Sequence, residues 1–270
     1  LLSVGINDIE IFKDVVDMPN QYDFSLEFFN KFYRPEYATI LVVGDVTQEK
    51  VMALATKYFG AWQHGNYVNT IPVEPTQTET KYTHVKMANF PPVVSLNYKS
   101  PAYDPTKIDM HALDLLNTVL FSEKSDLYKK LVIEEQKVRG INGGATNSRD
   151  PYLSQIYASL VDAKDMQYVK DEIVKAIEKM KTTAVDQTTL DQAKMRMRYS
   201  FAMGMDSPTS IAEALAGYIW VTGDPESINK AYEMYDKVTP KDLMDVAKKY
   251  YVSTGLTIAT ISDAENCPVK

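Results

Sequence analysis

The first sixty residues combine an aromatic-rich segment with one continuous apolar run. Phenylalanine, tyrosine and leucine are dense enough over residues 22–32 to predict a buried helix. Arg34-Pro35 ends that helix, because a residue that precedes proline avoids the helical region. The apolar run over residues 38–43 predicts a central strand.

A second helix and a polar stretch come next. Thr47 is a suitable N-cap for a helix whose apolar residues share one face, and Gly60 is a suitable stop. Residues 61–80 are polar, aperiodic and interrupted by Pro72 and Pro75, which is typical of a linker.

The remaining residues alternate predicted strands with predicted helices. Strands are expected near residues 82–87 and 93–98, followed by a helix that starts at Asp104-Pro105 and a short helix over residues 125–136. Two further strands, at residues 138–145 and 153–161, are expected to form a hairpin. The glycine-rich segment 140–144 lacks the Gly-Lys-Ser/Thr of a phosphate loop, so it predicts a strand that another backbone approaches closely.

The last third is mostly helical. An amphipathic stripe at spacings of three and four is formed by Met166, Val169, Ile173, Ile177 and Met180. Further helices are predicted near residues 186–203, 208–220 and 225–235, then from Thr239-Pro240, with a final strand at 256–261. Pairs of strands and pairs of helices without strict alternation predict an α+β fold, with helices packed on an antiparallel-rich sheet.

Two helix-to-strand junctions resemble each other. Residues 32–40 match residues 250–258, with Tyr33 opposite Tyr251, 218 residues apart. Ordinary helix–strand geometry is the alternative explanation, since few identities support the match. A true repeat makes the chain a remnant of one domain (residues 1–62), a linker (63–80) and a related second domain (81–270), with the rest of the first domain upstream of Leu1.

Composition excludes several classes of function. The formal net charge of −7 argues against a nucleic-acid partner, because phosphate binding requires a basic surface. No apolar run approaches the length of a membrane span. The single cysteine, Cys267, excludes an internal disulfide and a multi-thiolate metal site. It leaves the compartment open between the bacterial cytoplasm and the periplasm.

The three histidines do not form a metal-binding motif. His64, His84 and His111 are widely separated, so no helix presents two imidazoles at the required spacing. We expect His84 and His111 to be structural and His64 to be solvated in the linker. No metal or cofactor is therefore expected in this chain.

Four blocks of sequence occur in an order that is characteristic of one family. They are residues 29–45 (FNKFYRPEYATILVVGD), residues 46–62 with their Tyr-Phe-Gly and Trp, residues 125–136 (SDLYKKLVIEEQ) and residues 238–250. Their order and spacing resemble the insulinase/pitrilysin (inverzincin) family of zinc metallopeptidases over residues 22–261.

The resemblance implies two related domains of the mitochondrial-processing-peptidase-like type, which clasp a peptide between them. In that family, zinc lies in the first domain on an inverted His-x-x-Glu-His helix with a later glutamate, and the second domain holds no metal. Because this chain lacks the motif, the resemblance places the zinc and the catalytic base upstream of Leu1. It assigns no catalytic residue to the chain.

The resemblance also implies one candidate substrate-binding residue. Many family members carry an arginine and a tyrosine seven residues apart, which hydrogen-bond the substrate near its carbonyl. The corresponding positions are Val132 and Arg139, and neither residue type matches. Arg139 still offers a fork of donors to a peptide carbonyl or carboxylate, and an arginine on a solvated strand end is the alternative.

The expected function is that of the substrate-gripping, chamber-closing C-terminal portion of a zinc-dependent peptidase. The alternative is a metal-free peptide-binding or assembly subunit without peptidase activity, which captures a peptide by strand addition. Expected partners are a peptide substrate, an upstream catalytic half or a separate related subunit, and a second copy of this chain as a homodimer.

The apolar residues of segment 22–60 are expected to require a covering surface, because exposed apolar area is unfavourable by about 25 cal/mol per Å². These residues are Phe24, Phe28, Phe29, Ile40, Val42 and Val43. The second domain, a second copy of the chain or an upstream segment are the three candidates for that surface.

Overall fold

The structure is a computed structural model that describes residues 19–65, 68 and 72–270. The chain divides into two units, and the division lies between Glu74 and Pro75. Our assignment of residues 1–62 and 81–270 to two related domains stays a proposal, and its first eighteen residues lie outside the described part of the chain.

The first unit contains two helices joined through a short turn. Helix α1 is Gln21–Phe32, helix α2 is Gln48–Phe59, and a 3₁₀ turn covers Pro35–Tyr37 between them. Thr47 caps α2 as predicted, because its Oγ1 accepts a hydrogen bond from the Lys50 backbone N–H at 3.4 Å.

Two predictions for the first unit are wrong. Residues 38–43 do not form a strand, because no other strand among the described residues pairs with them and an unpaired segment cannot build a ladder. Helix α1 has no buried residue, and Phe24 and Phe29 are each about half exposed. The high density of apolar residues in the sequence of helix α1 was therefore not sufficient to predict that the helix is buried.

The second unit is built on a five-stranded mixed sheet with the strand order β1-β5-β2-β4-β3. The strands are β1 (Lys81–Lys86), β2 (Val93–Ser100), β3 (Val138–Ala145), β4 (Tyr152–Leu160) and β5 (Leu256–Ser262). The pair β1–β5 is parallel and the pairs β5–β2, β2–β4 and β4–β3 are antiparallel. This arrangement confirms the predicted α+β fold and leaves β1 and β3 as the edge strands.

Helices form the second layer of this unit. They are α3 (Ile108–Phe121), α4 (Asp126–Tyr128, continued by a π-helix over Lys129–Glu134), α5 (Met166–Thr182), α6 (Gln187–Met203), α7 (Pro208–Thr222), α8 (Ser227–Lys237) and α9 (Pro240–Tyr250). No described helix is both long and apolar enough to cross a bilayer.

The core lies between the helices and one face of the sheet. The alternate β2 residues Val94, Leu96 and Tyr98 are buried in it. From α5, the five residues of the predicted stripe are all buried: Met166, Val169, Ile173, Ile177 and Met180. Helical periodicity in the sequence therefore identified the core face of α5 correctly.

The starts of α3 and α9 show when a cap-and-proline signal holds. Asp104-Pro105 does not begin a helix, because Asp104 Oδ1 accepts hydrogen bonds from the backbone and the hydroxyl of Thr106 at 2.9 and 2.6 Å and thereby stabilises a turn. Thr239 begins α9 as predicted, with a reciprocal capping box between Thr239 and Asp242.

The two junctions that resemble each other in sequence also share a backbone conformation. Helix α1 is followed by Tyr33 (φ −89°, ψ 74°) and helix α9 by Tyr251 (φ −86°, ψ 63°). A 3₁₀ turn comes next in both, over Pro35–Tyr37 and Ser253–Gly255, again 218 residues apart. The second junction continues into strand β5, whereas the first continues into residues that pair with no strand of residues 19–65, 68 and 72–270.

Candidate functional site

Two of the three histidines are held by protein groups at both ring nitrogens. His84 Nδ1 lies 2.8 Å from Thr260 Oγ1, and its Nε2 lies 2.9 Å from the Ala264 carbonyl oxygen. His111 is fully buried in α3, where Nδ1 donates to the Lys107 carbonyl at 2.8 Å and Nε2 lies 3.5 Å from Tyr103 Oη. Burial lowers the pKa of His111, and the hydrogen bond to that carbonyl opposes the shift.

The donor set of the described residues does not fit a zinc ion. His64 is exposed in the first unit, and its Nδ1 lies 2.6 Å from the Gly65 carbonyl oxygen. Within residues 19–65, 68 and 72–270, no three His, Cys, Asp or Glu side chains are grouped so that they could hold a metal. No chemical step is therefore derived through a metal in this chain.

Arg139 occupies a β-bulge at the beginning of edge strand β3. Val138 lies opposite Leu160 and Gly140 lies opposite Ser159, so Arg139 is the extra residue between two consecutive pairs. Bulges bend a strand and redirect a side chain. Arg139 Nε donates to the Leu160 carbonyl at 3.2 Å, and its terminal N–H groups have no partner among the described residues.

Val132, at the other position singled out by the resemblance, is a packing residue. It lies in the π-helix Lys129–Glu134 and packs, partly buried, against the hydrophobic core. A valine offers no hydrogen bond to a substrate, so Arg139 is the only one of the two positions with polar atoms to offer.

Arg139 lines a groove of about 710 Å³ between strands β3 and β4, the loop after α3, and helix α6. Lys124 reaches the groove from the loop and Arg196 from α6, and both are exposed. Arg196 Nη1 donates to Ser122 Oγ at 3.2 Å. Glu123 is the one carboxylate that lines the groove.

The wall of the groove depends on glycine. A Cβ added at Gly143 would lie 2.4 Å from Phe121 Cδ2 and 2.8 Å from Asn117 Oδ1, so glycine lets β3 approach α3 closely. The sequence predicted a close approach by another backbone, whereas the groups that approach are side chains. A Cβ added at Gly140 would meet no atom within 4 Å. Gly140 therefore leaves open space beside the backbone of the edge strand.

Lys124 and Arg196 were not identified from the sequence. They lie 15 residues before and 57 residues after Arg139, and the fold alone brings the three side chains to one groove. No local motif relates such positions, since Lys124 follows the end of α3 and Arg196 lies in the middle of α6.

Comparisons with known proteins agree with the resemblance. A family model described as the peptidase M16 inactive domain matches residues 21–197. The zinc protease PqqE of Helicobacter pylori is 27% identical over 238 residues, which are 86% of this chain and 52% of the relative. The chain thus spans about half the length of that relative.

Solved structures show the same architecture. A protease from Helicobacter pylori superposes with a TM-score of 0.79 at 25% identity, over 91% of this chain and 60% of that protein. A peptidase M16 inactive domain from Pseudomonas fluorescens superposes with a TM-score of 0.66 at 15% identity, over 82% of this chain and 52% of the other. The family match covers more than half of the residues, and the chain therefore belongs to the peptidase M16 inactive domain family, as its insulinase/pitrilysin-type sequence blocks predicted.

Proposed function

We propose that this chain grips the peptide substrate of a zinc-dependent peptidase and closes its chamber, while the zinc ligands and the catalytic base belong to another part of the same protein. The similarity to the PqqE zinc protease supports the zinc dependence of the whole protein. The observation that carries the gripping role is the groove at Arg139, where an arginine redirected by a bulge lies on an edge strand.

Edge strand β3 offers two kinds of contact to a peptide. Among the residues that the structure describes, no strand pairs with its outer backbone N–H and C=O groups, since β3 pairs with β4 on one side only. A peptide that adds as a further strand then brings its own carbonyl or carboxylate groups within reach of the Arg139 guanidinium, which presents several donors in one plane.

The gripping role is tested by peptide binding. The affinity of the 270-residue chain for fluorescent peptides of about ten residues is measured by anisotropy. Arg139→Gln is expected to weaken binding about three- to tenfold, the range for one exposed charge-assisted contact. Arg149→Gln, an exposed arginine outside the groove, is the matched control. Equal affinities for Arg139→Gln and the wild type would remove Arg139 from the site.

The placement of the zinc is tested on a chain that is extended upstream by about two domain-sized segments of sequence. We expect only the longer chain to hold stoichiometric zinc and to cleave a quenched fluorescent peptide. Zinc content and cleavage are measured side by side on both chains.

A metal-free peptide-binding or assembly subunit is the second candidate, favoured by the unpaired edge of β3. It predicts that the longer chain binds peptide but holds no zinc and cleaves nothing. A separate related subunit would then supply the catalytic half. This outcome would contradict the zinc-peptidase proposal while leaving the Arg139 groove as a peptide site.

A further inference from the structure

Three cations at the groove lack a carboxylate partner. Lys124, Arg139 and Arg196 are exposed and line the same groove. None of them forms an ion pair with a described residue, and their hydrogen bonds are to the neutral groups Leu160 carbonyl and Ser122 hydroxyl.

Cations elsewhere in the second unit are commonly paired. Lys130 bonds Glu172 at 2.6 Å, and Lys249 bonds Asp109 at 2.6 Å. The whole chain carries 36 acidic against 29 basic residues, so carboxylates are in excess. Three unpaired cations around one groove of an acidic protein form a local positive region, which attracts an anion from outside the chain.

The positive region continues beyond the groove. A neighbouring cavity of about 510 Å³ shares Ser122, Lys124 and Arg196 with it, and Lys129 and Lys179 also line that cavity. Asp126 lies 3.7 Å from Lys129 and offsets that cation, and Asp186 caps helix α6, so Lys179 is the cation that this cavity adds to Lys124 and Arg196.

We propose that this groove selects peptides that carry an acidic side chain, whose carboxylate binds among Lys124, Arg139 and Arg196. This inference rests on the proposed gripping function and specifies its substrate class. Guanidinium groups match a carboxylate with parallel N–H donors, and the lysine adds attraction over a longer range. Glu123 repels the same carboxylate, but the attraction of three cations outweighs the repulsion of one acidic side chain.

The geometry favours an aspartate or glutamate side chain over a peptide C-terminus. The groove does not end at the cations, since the second cavity continues past Lys124 and Arg196. A chain bound along β3 can therefore extend beyond them, which a terminal carboxylate at that point would not require.

The test compares three peptides of equal length on the 270-residue chain at low salt. The first carries pairs of adjacent glutamates and an amidated C-terminus, so that glutamates project from both faces of the bound strand and one can meet the groove in either register. The second replaces each glutamate with glutamine. The third is the glutamine peptide with a free C-terminal carboxylate. We expect the first to bind about three- to tenfold more tightly than the other two, with the difference shrinking at high salt.

Variants assign the discrimination to the groove. Arg196→Gln is expected to reduce the ratio of the affinities for the glutamate and glutamine peptides without abolishing it, because Lys124 and Arg139 remain in the groove. An unchanged ratio would remove Arg196 from the site. Lys248→Gln, which removes the same charge from an exposed site outside the groove, should keep the full difference. Thermal unfolding of each variant establishes that it is folded.

The outcomes separate this inference from the gripping function. Equal binding of glutamate and glutamine peptides would overturn the acidic selectivity and leave peptide gripping intact. Tighter binding of the free-carboxylate peptide alone would assign the site to a C-terminus, which also overturns the inference. Absence of binding by all three peptides would overturn the gripping function itself.

Discussion

At the scale of single residues, Gly143 and Gly140 lie on the same edge strand but differ in the space available for a side chain. A methyl group at position 143 would collide with Phe121 and Asn117, which are both buried, whereas position 140 faces open space. We expect Gly143→Ala to lower the free energy of unfolding by about 1–3 kcal/mol, the usual effect of overpacking. Gly140→Ala is the matched control and should be neutral or slightly stabilising.

Urea unfolding followed by circular dichroism gives both values under one set of conditions. A Gly143→Ala variant as stable as Gly140→Ala would show that β3 moves away from α3 without penalty. The close approach of β3 to α3 would then not explain why residue 143 is a glycine.

His111 is expected to make stability depend on pH. Burial lowers the pKa of His111 in the folded state. Below about pH 6.5, the imidazole is therefore protonated in the unfolded state but remains neutral in the folded state until the pH reaches the lowered pKa. The free energy of unfolding should therefore fall as the pH decreases from about 7.5 through 6.5 toward the lowered pKa. The stability that the neutral imidazole contributes is fully present above about pH 6.5 and is lost progressively as the pH falls below that value.

His111→Asn isolates this contribution, because the asparagine amide can still donate to the Lys107 carbonyl while it cannot titrate. We expect the variant to be less stable at neutral pH, since it loses ring contacts with Tyr103 and Tyr235. Its stability should decline less between about pH 7.5 and 5.5 than that of the wild type. Parallel pH profiles for the two proteins would contradict the assignment.

At the scale of elements, helix α9 depends on its first turn. Thr239 and Asp242 satisfy each other's backbone N–H groups, with Thr239 N–H donating to Asp242 Oδ2 at 2.8 Å. Thr239→Ala should lower the free energy of unfolding by about 1 kcal/mol, as for other N-caps. Thr239→Ser keeps the hydroxyl and should retain most of the stability, and chemical denaturation distinguishes the two variants.

The elements that the sequence predicted correctly are those with a complete local signal. Helix α5 has both its periodicity and its buried stripe, and α9 has its cap, proline and capping box. The predictions fail for segments whose conformation is determined by a contact that the local sequence pattern does not contain. Residues 38–43 have strand composition, but no strand in the described part of the chain lies beside them, and the Asp104 side chain is engaged in a turn.

The candidate site was only partly predictable for the same reason. Arg139 followed from the family resemblance, but its bulge depends on pairing between β3 and β4, which the sequence of β3 does not contain. Lys124 and Arg196 reach the groove through the packing of the helical layer. Contacts between residues that are distant in the sequence cannot be recognised from the spacing of residues along it.

At the scale of the whole molecule, buried and exposed apolar residues are distributed unevenly. Every buried apolar residue of the described chain lies between Val93 and Val269. In the first unit, by contrast, apolar residues that we expected to be covered are roughly half exposed: Phe24, Phe28, Phe29, Ile40 and Val42. We therefore predict that residues 75–270 fold alone, with a melting temperature close to that of the full chain.

The exposed residues should make the 270-residue chain self-associate, because covering them with a second copy removes apolar area from water at about 25 cal/mol per Å². Sedimentation velocity over a tenfold range of concentration should show a homodimer or larger species for the full chain and a monomer for residues 75–270. Phe24→Ser with Phe28→Ser should shift the full chain toward monomer, whereas Trp220→Ser, at a more exposed aromatic of the second unit, should not. A full chain that stays monomeric throughout would exclude a second copy and leave the second domain or an upstream segment as the surface that covers α1.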